Sequence, residues 1–531
     1  MDFDKPILQQ IEQISHKAIE YVSDRSNLEK IGKITAISIA TYVIADKLYV
    51  AFFGPLSRVP GPFYTRFLYM PKFLYDRPSG TLYKTFLSLH DKYGDMVRIG
   101  PNTISIANKD LLKQVLVSDD LPKGPIYKIL EGNGKHSLFS STDPVWHKQR
   151  RKIVSPAFSI RYLNSLEPFM ISVTHSLINR INEEIDKEHD KDNYGIIDIW
   201  SLVQCLALDV IGETAFGESF NMIENNSHFV PAAIVEEMKL SAISVMYPLL
   251  SKLFLKKSRM INPKLTEFLT GIINHRLNSD KEGRKDILQF LINSQQAENE
   301  NDRLTPDAIM AETVLFLIAG SETTSNSIGF AIIELLQNPN KLKKLYKEID
   351  SIEMEEGQVV FYHEQLKHLP YLNAVINETL RLDAVAAGSL PRITHKPTVL
   401  GHLILPKDII VLCNLYHVQT DNKYWPNPYE FKPERWIEKD QIELNDLEAF
   451  FPFSAGSRNC IGKNFALQEM RMALASLLKY FEIAPIEQEI KDAQDRRSFV
   501  TLTVAKNSVR IKIKRRDEIM KQQNDNKVHL K

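Results

Sequence analysis

The sequence predicts a mainly α-helical protein with small β-sheets, an α+β fold. A capped helical segment runs from Thr305 to about Gln337, and the stretch from Tyr162 to Glu300 has largely helical character. Alternation typical of strands is confined to short segments near residues 96–107 and 499–513. The expected architecture is therefore helix-rich, with sheets as minor elements.

Length and composition describe an ordinary globular protein, and the few cysteines fit a reducing compartment. The chain has 531 residues, of which 44% are hydrophobic and 25% charged, an ordinary globular profile. No linker divides its middle, although about 150 residues per domain would suggest three or four domains. The net charge is zero, so nothing points to nucleic acid. Three cysteines are too few for a disulfide framework.

The N-terminal region predicts a membrane anchor. Residues 1–33 are polar, and residues 34–53 are mostly apolar but interrupted by Asp46 and Lys47. About 20 apolar residues span a bilayer, so 34–53 suffices if Lys47 reaches an interface and Asp46 pairs with it. An amphipathic surface helix is the alternative. Basic residues flank both sides, so charge does not decide the orientation. A proline- and glycine-containing hinge is expected at 54–62.

Two pairs of short strands are predicted. Met96–Gly100 and Thr103–Ala107 flank a Pro-Asn turn, and Phe499–Val504 and Val509–Ile513 alternate like a hairpin. The polar tail, residues 517–531, is expected to be disordered.

A short helix is predicted to begin at Asp143, which suits an N-cap followed by proline at the first helical position. Trp146 and Arg150 are four residues apart and hence share one face. Simple packing of arginine on tryptophan would explain this pair equally well.

The long helix carries polar residues where burial is expected. Val314–Ala319 is apolar on all sides, and Gly320-Ser321-Glu322-Thr323-Thr324 follows directly. A charge and hydroxyls in a buried helix are costly without a purpose. The stretch predicts a local opening that holds water and polar groups. A bent helix packed with polar side chains is the alternative.

The segment Phe453–Gly462 fits the pattern F-x-x-G-x-R-x-C-x-G. It places Cys460 in a glycine-punctuated loop just before a helix, where the partial positive charge favours a thiolate. Arg458 adds a cation able to meet carboxylates. A soft anionic sulfur, close backbone and this cation suit a haem held by a cysteine thiolate. A buried free cysteine is the alternative.

Taken together, these motifs resemble those of the cytochrome P450 superfamily, over about residues 59–516. The resemblance implies the P450 fold, a catalytic domain at 63–516, and haem b between the long central helix and the cysteine loop. It implies that Cys460 is the axial ligand of the iron. The expected cofactor-binding residues are Trp146, Arg150, Ala319, Gly320, Arg392, Phe453, Gly456, Arg458, Cys460 and Gly462.

The resemblance also assigns roles outside the haem cradle. Thr323 would orient dioxygen and its protons, and Glu322 would relay protons. Glu378 and Arg381 of an E-x-x-R pair would form a buried charge network with Arg435 and fix the cysteine loop. On sequence alone, an exposed helical ion pair of no consequence would look the same.

By the same resemblance, the reaction is insertion of one oxygen atom from O2 into a lipophilic substrate. Electrons would come from NADPH through a reductase, with cytochrome b5 as a further candidate donor. The partner would bind a basic face formed by Lys148, Arg151, Lys152 and Lys463. The expected location is the endoplasmic reticulum membrane, with a single-pass anchor and a cytoplasmic catalytic domain. The alternatives are a reductase-independent isomerase or dehydratase, and a non-catalytic haem sensor.

Overall fold

The computed structural model describes residues 25–130, 136–225, 263–278 and 286–516, with short pieces between 10 and 17 and between 230 and 240. Its helices are α1 (Arg25–Phe52), α2 (Lys72–Asp76), α3 (Leu82–Tyr93), α4 (Lys109–Lys113), α5 (Pro144–Val154), α6 (Ile160–Lys187), α7 (Ile199–Ile211), α8 (Met222–Asn225), α9 (Pro263–Asn278), α10 (Ile287–Asn293), α11 (Pro306–Gln337), α12 (Pro339–Asp350), α13 (His363–Leu366), α14 (Pro370–Leu382), α15 (Leu415–Gln419), α16 (Lys439–Leu444), α17 (Lys463–Tyr480) and α18 (Glu487–Asp492).

The strands are β1 (Met96–Gly100), β2 (Thr103–Ile106), β3 (Gly195–Asp198), β4 (Leu390–Ile393), β5 (Thr398–Leu400), β6 (Leu403–Leu405), β7 (Ile410–Cys413), β8 (Phe481–Ala484), β9 (Arg496–Ser498), β10 (Leu502–Val504) and β11 (Arg510–Arg515). The described sheets have the orders β1-β2-β7-β4, β3-β11-β8, β5-β6 and β9-β10, and β2 and β7 are parallel. The mainly helical fold class with small sheets is confirmed.

The long helix α11 crosses the core as predicted. Thr305 caps it, because its side-chain oxygen accepts a hydrogen bond from the Ala308 N–H at 3.2 Å. Its 32 residues give a length of about 48 Å. Helix α7 lies close alongside, where the Trp200 ring meets Phe330 edge-on with centroids 5.1 Å apart. A Cβ at Gly329 would lie 2.6 Å from that indole, so this contact requires glycine.

One predicted strand pair is confirmed and the other is wrong. β1 and β2 pair antiparallel, as expected. The predicted hairpin at 499–513 does not form: β10 pairs with β9, whereas β11 pairs with β3 and β8. The reason is burial, since Ile511 and Ile513 are fully enclosed on β11 between these two strands.

The N-terminal helix α1 begins at Arg25, earlier than the predicted start at residue 34. By length and composition, Ser26–Phe52 and Ile199–Phe216 are both apolar enough to span a membrane among the described residues. The second is 89% buried and belongs to the core, whereas the first is largely exposed. Within α1 the ammonium of Lys47 lies 3.9 Å from the Asp46 carboxylate.

The segment 54–62, predicted as a hinge, is fastened to the domain. The guanidinium of Arg98, buried in β1, donates to the Leu56 carbonyl at 3.2 Å, and Arg66 donates to the Ala51 carbonyl at 3.0 Å. These bonds tie the end of α1 to the first sheet. The predicted disordered tail, 517–531, and most of the polar segment before Arg25 lie outside the described residues.

Candidate functional site

The cysteine loop, Phe453–Gly462, is held tightly before α17. The Cys460 N–H donates to the Phe453 carbonyl at 2.9 Å, which closes the loop on itself. Gly456 has φ +75°, and a Cβ there would lie 1.7 Å from the Leu116 carbonyl oxygen. Only glycine fits at this position. Ser454 also has a positive φ of 58°, so the backbone of the loop is locally strained.

The Cys460 side chain is exposed, and its surroundings act on its charge in two directions. Desolvation by the neighbouring protein raises the pKa of the Cys460 thiol. The Gly462 N–H, Arg151 and Lys463 lower it, because each stabilises a thiolate. The sulfur is therefore both accessible and provided with groups that favour an anionic ligand.

Arg151, predicted to belong to a basic patch on the cysteine side, lies directly beside the cysteine loop. Its Nη1 donates to the Asn459 carbonyl at 2.8 Å, directly beside Cys460. Arg151 thus links α5 to the cysteine loop, while Lys148 and Lys463 remain exposed. Lys152, also exposed, lies 3.3 Å from the Asp302 carboxylate.

Helix α5 begins as predicted and presents Arg150. The Asp143 carboxylate accepts from the Val145 and Trp146 N–H groups at 2.8 and 3.2 Å. The Arg150 guanidinium lies over the Trp146 ring, 4.7 Å from its centroid. Its Nε is 3.7 Å from the Glu312 carboxylate. In the part of the chain that the structure describes, its buried Nη1 has no hydrogen-bond partner.

Three more cations, Lys123, Arg392 and Arg458, act on one another, and Lys123 also acts on Glu312, the ion-pair partner of Arg150; we call these four residues the cation cluster. Burial, then Arg458 and Arg392, lower the pKa of Lys123 well below its usual range. Arg458 Nη1 donates to the Ser141 carbonyl at 3.0 Å, whereas its buried Nη2 has no partner among the described residues. Burial lowers the pKa of Arg458 first, followed by Arg392.

The cation cluster has more positive charge than the described protein neutralises. Glu312 is the one carboxylate among the groups acting on Lys123, and two guanidinium nitrogens keep unused donors. A buried charge without partners is expensive. Haem fits these residues, since it carries two carboxylates for the guanidinium groups and an iron for the accessible sulfur.

The face of α11 with Ala319 and Thr323 is open, although the surrounding helix is mostly buried. Ala319 is exposed and Thr323 half-buried, and the Thr323 hydroxyl donates to the Ala319 carbonyl at 2.7 Å. The helix continues through this stretch, so the predicted opening does not take the form of a break in the helix. Back-bonding satisfies the hydroxyls within the helix instead. A Cβ at Gly320 would lie 2.8 Å from the Ile211 side chain, which gives Gly320 a packing role.

Glu322 is buried on the other side of the same helix. Its carboxylate accepts from Asn326 Nδ2 at 3.3 Å and from Thr501 Oγ1 at 3.5 Å. Burial raises the pKa of Glu322, and these two partners oppose the rise. A small pocket beside the carboxyl group is also lined by Gln204 and Ser325. Sequence reasoning missed Asn326 and Thr501, whose contacts depend on how the β9–β10 hairpin packs.

Glu378, Arg381 and Arg435 come together in one buried network, which we call the balanced network. Arg381 donates to both Glu378 oxygens at 2.9 Å, and Arg435 Nε donates to one of them at 3.1 Å. The Trp436 indole N–H donates to the other oxygen at 3.0 Å. All three charged side chains are almost completely buried.

Gln419 connects the balanced network to the cysteine loop. Its carbonyl accepts from Arg381 Nη1 at 2.8 Å, and its side-chain oxygen accepts from the Phe451 N–H at 2.8 Å. Phe451 lies two residues before the loop. The network is thus coupled mechanically to the backbone that carries Cys460.

Two residues of the site, Lys123 and Glu312, were not found from sequence. Lys123 follows Leu121-Pro122 without a distinguishing local pattern. Glu312 did offer a signal, since it is an acid on the helix face shared with Ala319 and Thr323. An acid at this position indicates a functional role only when the helix is known to be buried around it, because acids on exposed helix faces are common.

A family model and the similar proteins of known class all indicate the same family. A sequence model of the family described as cytochrome P450 matches residues 60–514. Cytochrome P450 monooxygenase acrD of Aspergillus aculeatus is 34% identical over 442 residues, covering 81% of this chain and 86% of that protein. Cytochrome P450 monooxygenase LUC2 of a Fusarium species is 30% identical over 499 residues, covering 91% and 94%.

A third relative, cytochrome P450 monooxygenase FUS8 of Gibberella moniliformis, is 31% identical over 487 residues, covering 89% of this chain and 92% of that protein. The helix-rich fold and the match over residues 60–514 define a haem-thiolate enzyme. The chain belongs to the cytochrome P450 family, and it is a monooxygenase of that family.

Proposed function

We propose that this chain holds haem b through Cys460 and oxidises a lipophilic small molecule. The observation that carries the proposal is the pairing of an accessible Cys460 thiol with a cation cluster that has unused donors. Arg150, Arg392 and Arg458 would hold the carboxylates of the haem. Phe453, Gly456 and Gly462 would shape the loop, and Trp146 would support Arg150.

The bound haem supplies reductive activation of O2, with thiolate donation favouring O–O cleavage. The protein must then deliver protons at a defined place. Because the Thr323 hydroxyl donates to the Ala319 carbonyl, its lone pairs remain free to accept a hydrogen bond on the open face. Glu322, whose pKa burial raises, is a proton source closer to neutral pH than an exposed glutamate.

Electrons would come from NADPH through a separate reductase. The exposed Lys148 and Lys463 lie on the elements that carry Arg151 and Cys460, so they mark the cysteine side of the molecule. Positive charge there would steer an acidic flavoprotein or cytochrome b5. Because Arg151 and Lys152 already face oxygen acceptors, Lys148 and Lys463, whose ammonium lies over the Phe453 ring 5.8 Å from its centroid, are the better candidates for direct contact.

Residues 34–53, all but the last of which belong to α1, would anchor the enzyme in the endoplasmic reticulum membrane with its catalytic domain in the cytoplasm. Ser26–Phe52 has 27 residues, or about 40 Å of helix, longer than a hydrocarbon core of about 30 Å. Its apolar side chains are exposed, Ile34 and Ile37 among them. A tilted helix would place the adjacent Asp46–Lys47 pair towards one interface.

The ligand assignment is tested by Cys460→Ser. The reduced, carbon monoxide-treated wild-type protein should show the red-shifted Soret band of a thiolate-ligated haem, and the variant should lack it. Total haem, measured as the pyridine complex, separates loss of the thiolate from loss of the cofactor. An unchanged band in the variant would remove Cys460 as the ligand.

The monooxygenase role of Thr323 is tested by Thr323→Ala in protein reconstituted with NADPH and a reductase. The variant should keep its haem and consume O2, but release more of the electrons as hydrogen peroxide because proton delivery is impaired. Thr324→Ala, at the neighbouring buried hydroxyl, serves as the control. Equal peroxide yields would contradict the proton-delivery role, and turnover without any NADPH would favour an isomerase.

A further inference from the structure

Glu312 is a fully buried carboxylate that the proposed reaction does not use. It lies seven residues before Ala319 and eleven before Thr323, about two and three helical turns, so the three share one face of α11. Burying a carboxylate in an apolar helix is costly unless its partners compensate. Its contacts therefore indicate what it does.

The Glu312 carboxylate faces a loop on one side and an arginine on the other. Both oxygens lie near the Leu138 N–H, at 3.0 and 3.1 Å, and Oε1 lies 3.7 Å from Arg150 Nε. Lys123 Nζ donates to the Leu138 and Phe139 carbonyls. Burial raises the pKa of Glu312 to about 7, and Leu138, Arg150 and Lys123 oppose the rise.

The Arg150 guanidinium is therefore fixed at two places and open at a third. Its plane stacks over Trp146, its Nε faces Glu312, and its buried Nη1 has no partner among the described residues. A guanidinium is planar and rigid, so fixing the stack and one nitrogen determines where the others point. The N–H groups of Nη1, which lack an acceptor, suit a carboxylate.

We propose that Glu312 is a positioning residue, which holds Arg150 by its Nε so that Nη1 is directed at a haem carboxylate. The inference rests on the proposed function, since it requires that Arg150 bind haem. Glu312 would not touch the haem itself. It would orient Arg150, which makes the contact, just as groups bonded to metal ligands orient those ligands. The Glu312 carboxylate also accepts from the Leu138 N–H and so fastens that loop residue to α11.

The test measures transfer of haem from the purified holoenzyme to excess apomyoglobin. Wild type, Glu312→Ala, Arg150→Ala and the double variant are compared. Loss of an orienting partner costs about 10- to 100-fold in affinity, so Glu312→Ala should lose haem faster by about that factor. Because Glu312 acts through Arg150, the double variant should be no faster than Arg150→Ala.

Two further variants separate positioning from general destabilisation. Glu312→Asp keeps the charge and should recover part of the retention. Glu334→Gln changes another buried carboxyl group on α11, away from the cation cluster, and should lose haem at the wild-type rate. If Glu312→Ala yields too little folded protein, Glu312→Gln in the same cycle with Arg150→Ala replaces it.

Each outcome decides between the two proposals. Multiplicative effects of the Glu312 and Arg150 substitutions, or wild-type retention in Glu312→Ala, would overturn the positioning role. A wild-type chain that takes up no haem would instead overturn the proposed function. If the holoenzyme shows thiolate spectra but the Glu312 and Arg150 substitutions change the haem-transfer rate independently, the proposed function stands and the positioning role is wrong.

Discussion

The balanced network and the cation cluster both consist of buried charged side chains, but only in the balanced network does every arginine nitrogen have a hydrogen-bond acceptor. In the balanced network, every guanidinium nitrogen of Arg381 and Arg435 has an acceptor, including backbone carbonyls of Gln419, Pro426 and Asn427. In the cation cluster, Arg150 Nη1 and Arg458 Nη2 have none among the described residues.

This difference is the basis for proposing a structural role for the balanced network and a binding role for the cation cluster. Glu378 gives Arg381 a bidentate partner with 2.9 Å bonds, so the balanced network is satisfied by the chain itself. In the cation cluster, Glu312 acts on Lys123 and Arg150 while Asp120 and Asp143 act on Arg458, yet two guanidinium nitrogens still lack an acceptor among the described residues. Across the described chain, buried donors without a partner also occur at Arg77 and Arg180, so it is their combination with several cations and a nearby accessible cysteine that favours a ligand site here.

A third buried group, formed by Arg496, Asp383 and Glu334, has more acidic than basic side chains. Arg496 Nε donates to Asp383 at 3.0 Å, and its Nη2 lies 3.5 Å from Glu334. Two acids thus share one arginine. Burial, then Asp383, raise the pKa of Glu334 to about 8, and Arg496 opposes the rise. A proton brings this group closer to neutrality, whereas the proposed anionic ligand would do so for the cation cluster.

The largest expected effect comes from breaking the balanced network. Glu378→Ala leaves two buried arginines without their carboxylate and should destabilise the protein by about 3–5 kcal/mol. The free energy of unfolding is obtained from urea denaturation followed by circular dichroism. Glu364→Gln, which breaks an exposed pair with Lys367 of similar sequence spacing, should leave the midpoint unchanged. Equal midpoints for both variants would show that the network is not structural.

A smaller and more selective effect is expected from the cation cluster. Arg458→Gln removes a cation with an unused donor, so it should weaken haem retention while leaving helix content intact. A charge-assisted hydrogen bond of about 1.5–3 kcal/mol corresponds to roughly 10- to 100-fold faster haem transfer to apomyoglobin.

The control for Arg458→Gln is Arg471→Gln. Arg471 is an arginine on α17 whose pKa burial also lowers, and it donates to Asn373 at 2.8 Å, away from the cluster. The two variants thus remove the same kind of side chain in different surroundings. Faster haem loss from Arg471→Gln than from Arg458→Gln would contradict the assignment of the cation cluster as the haem cradle.

Local signals in the sequence were enough for part of the fold. The starts of α5 and α11 were predicted because a capping side chain and a first-turn proline act within three residues. The β9–β10 pairing was missed because alternation marks a strand but does not identify its partner. The partners of β11 are decided by burial of Ile511 and Ile513 between the distant strands β3 and β8, which leaves β10 to pair with β9.

The site divides in the same way. Cys460 and Arg458 lie in one ten-residue pattern, so a single stretch indicated them. Glu312 became evident only through the Leu138 N–H, 174 residues away in sequence, and through Arg150. Whether a buried donor has an acceptor depends on how distant segments pack, and a single sequence does not show that packing.

The smallest expected effect is a pH dependence from the acid-rich group. Glu334 has a pKa of about 8 in the folded protein and an ordinary value of 4.5, so between these pH values the folded state holds a proton that the unfolded state has released. Stability therefore falls as pH rises through this window, by up to about 1.4 kcal/mol per pH unit for one proton. Glu334→Gln should flatten this dependence in urea denaturation at pH 6, 7 and 8. The exposed Glu364→Gln should keep the wild-type slope, and parallel slopes for all three proteins would show that Glu334 is ionised in the fold.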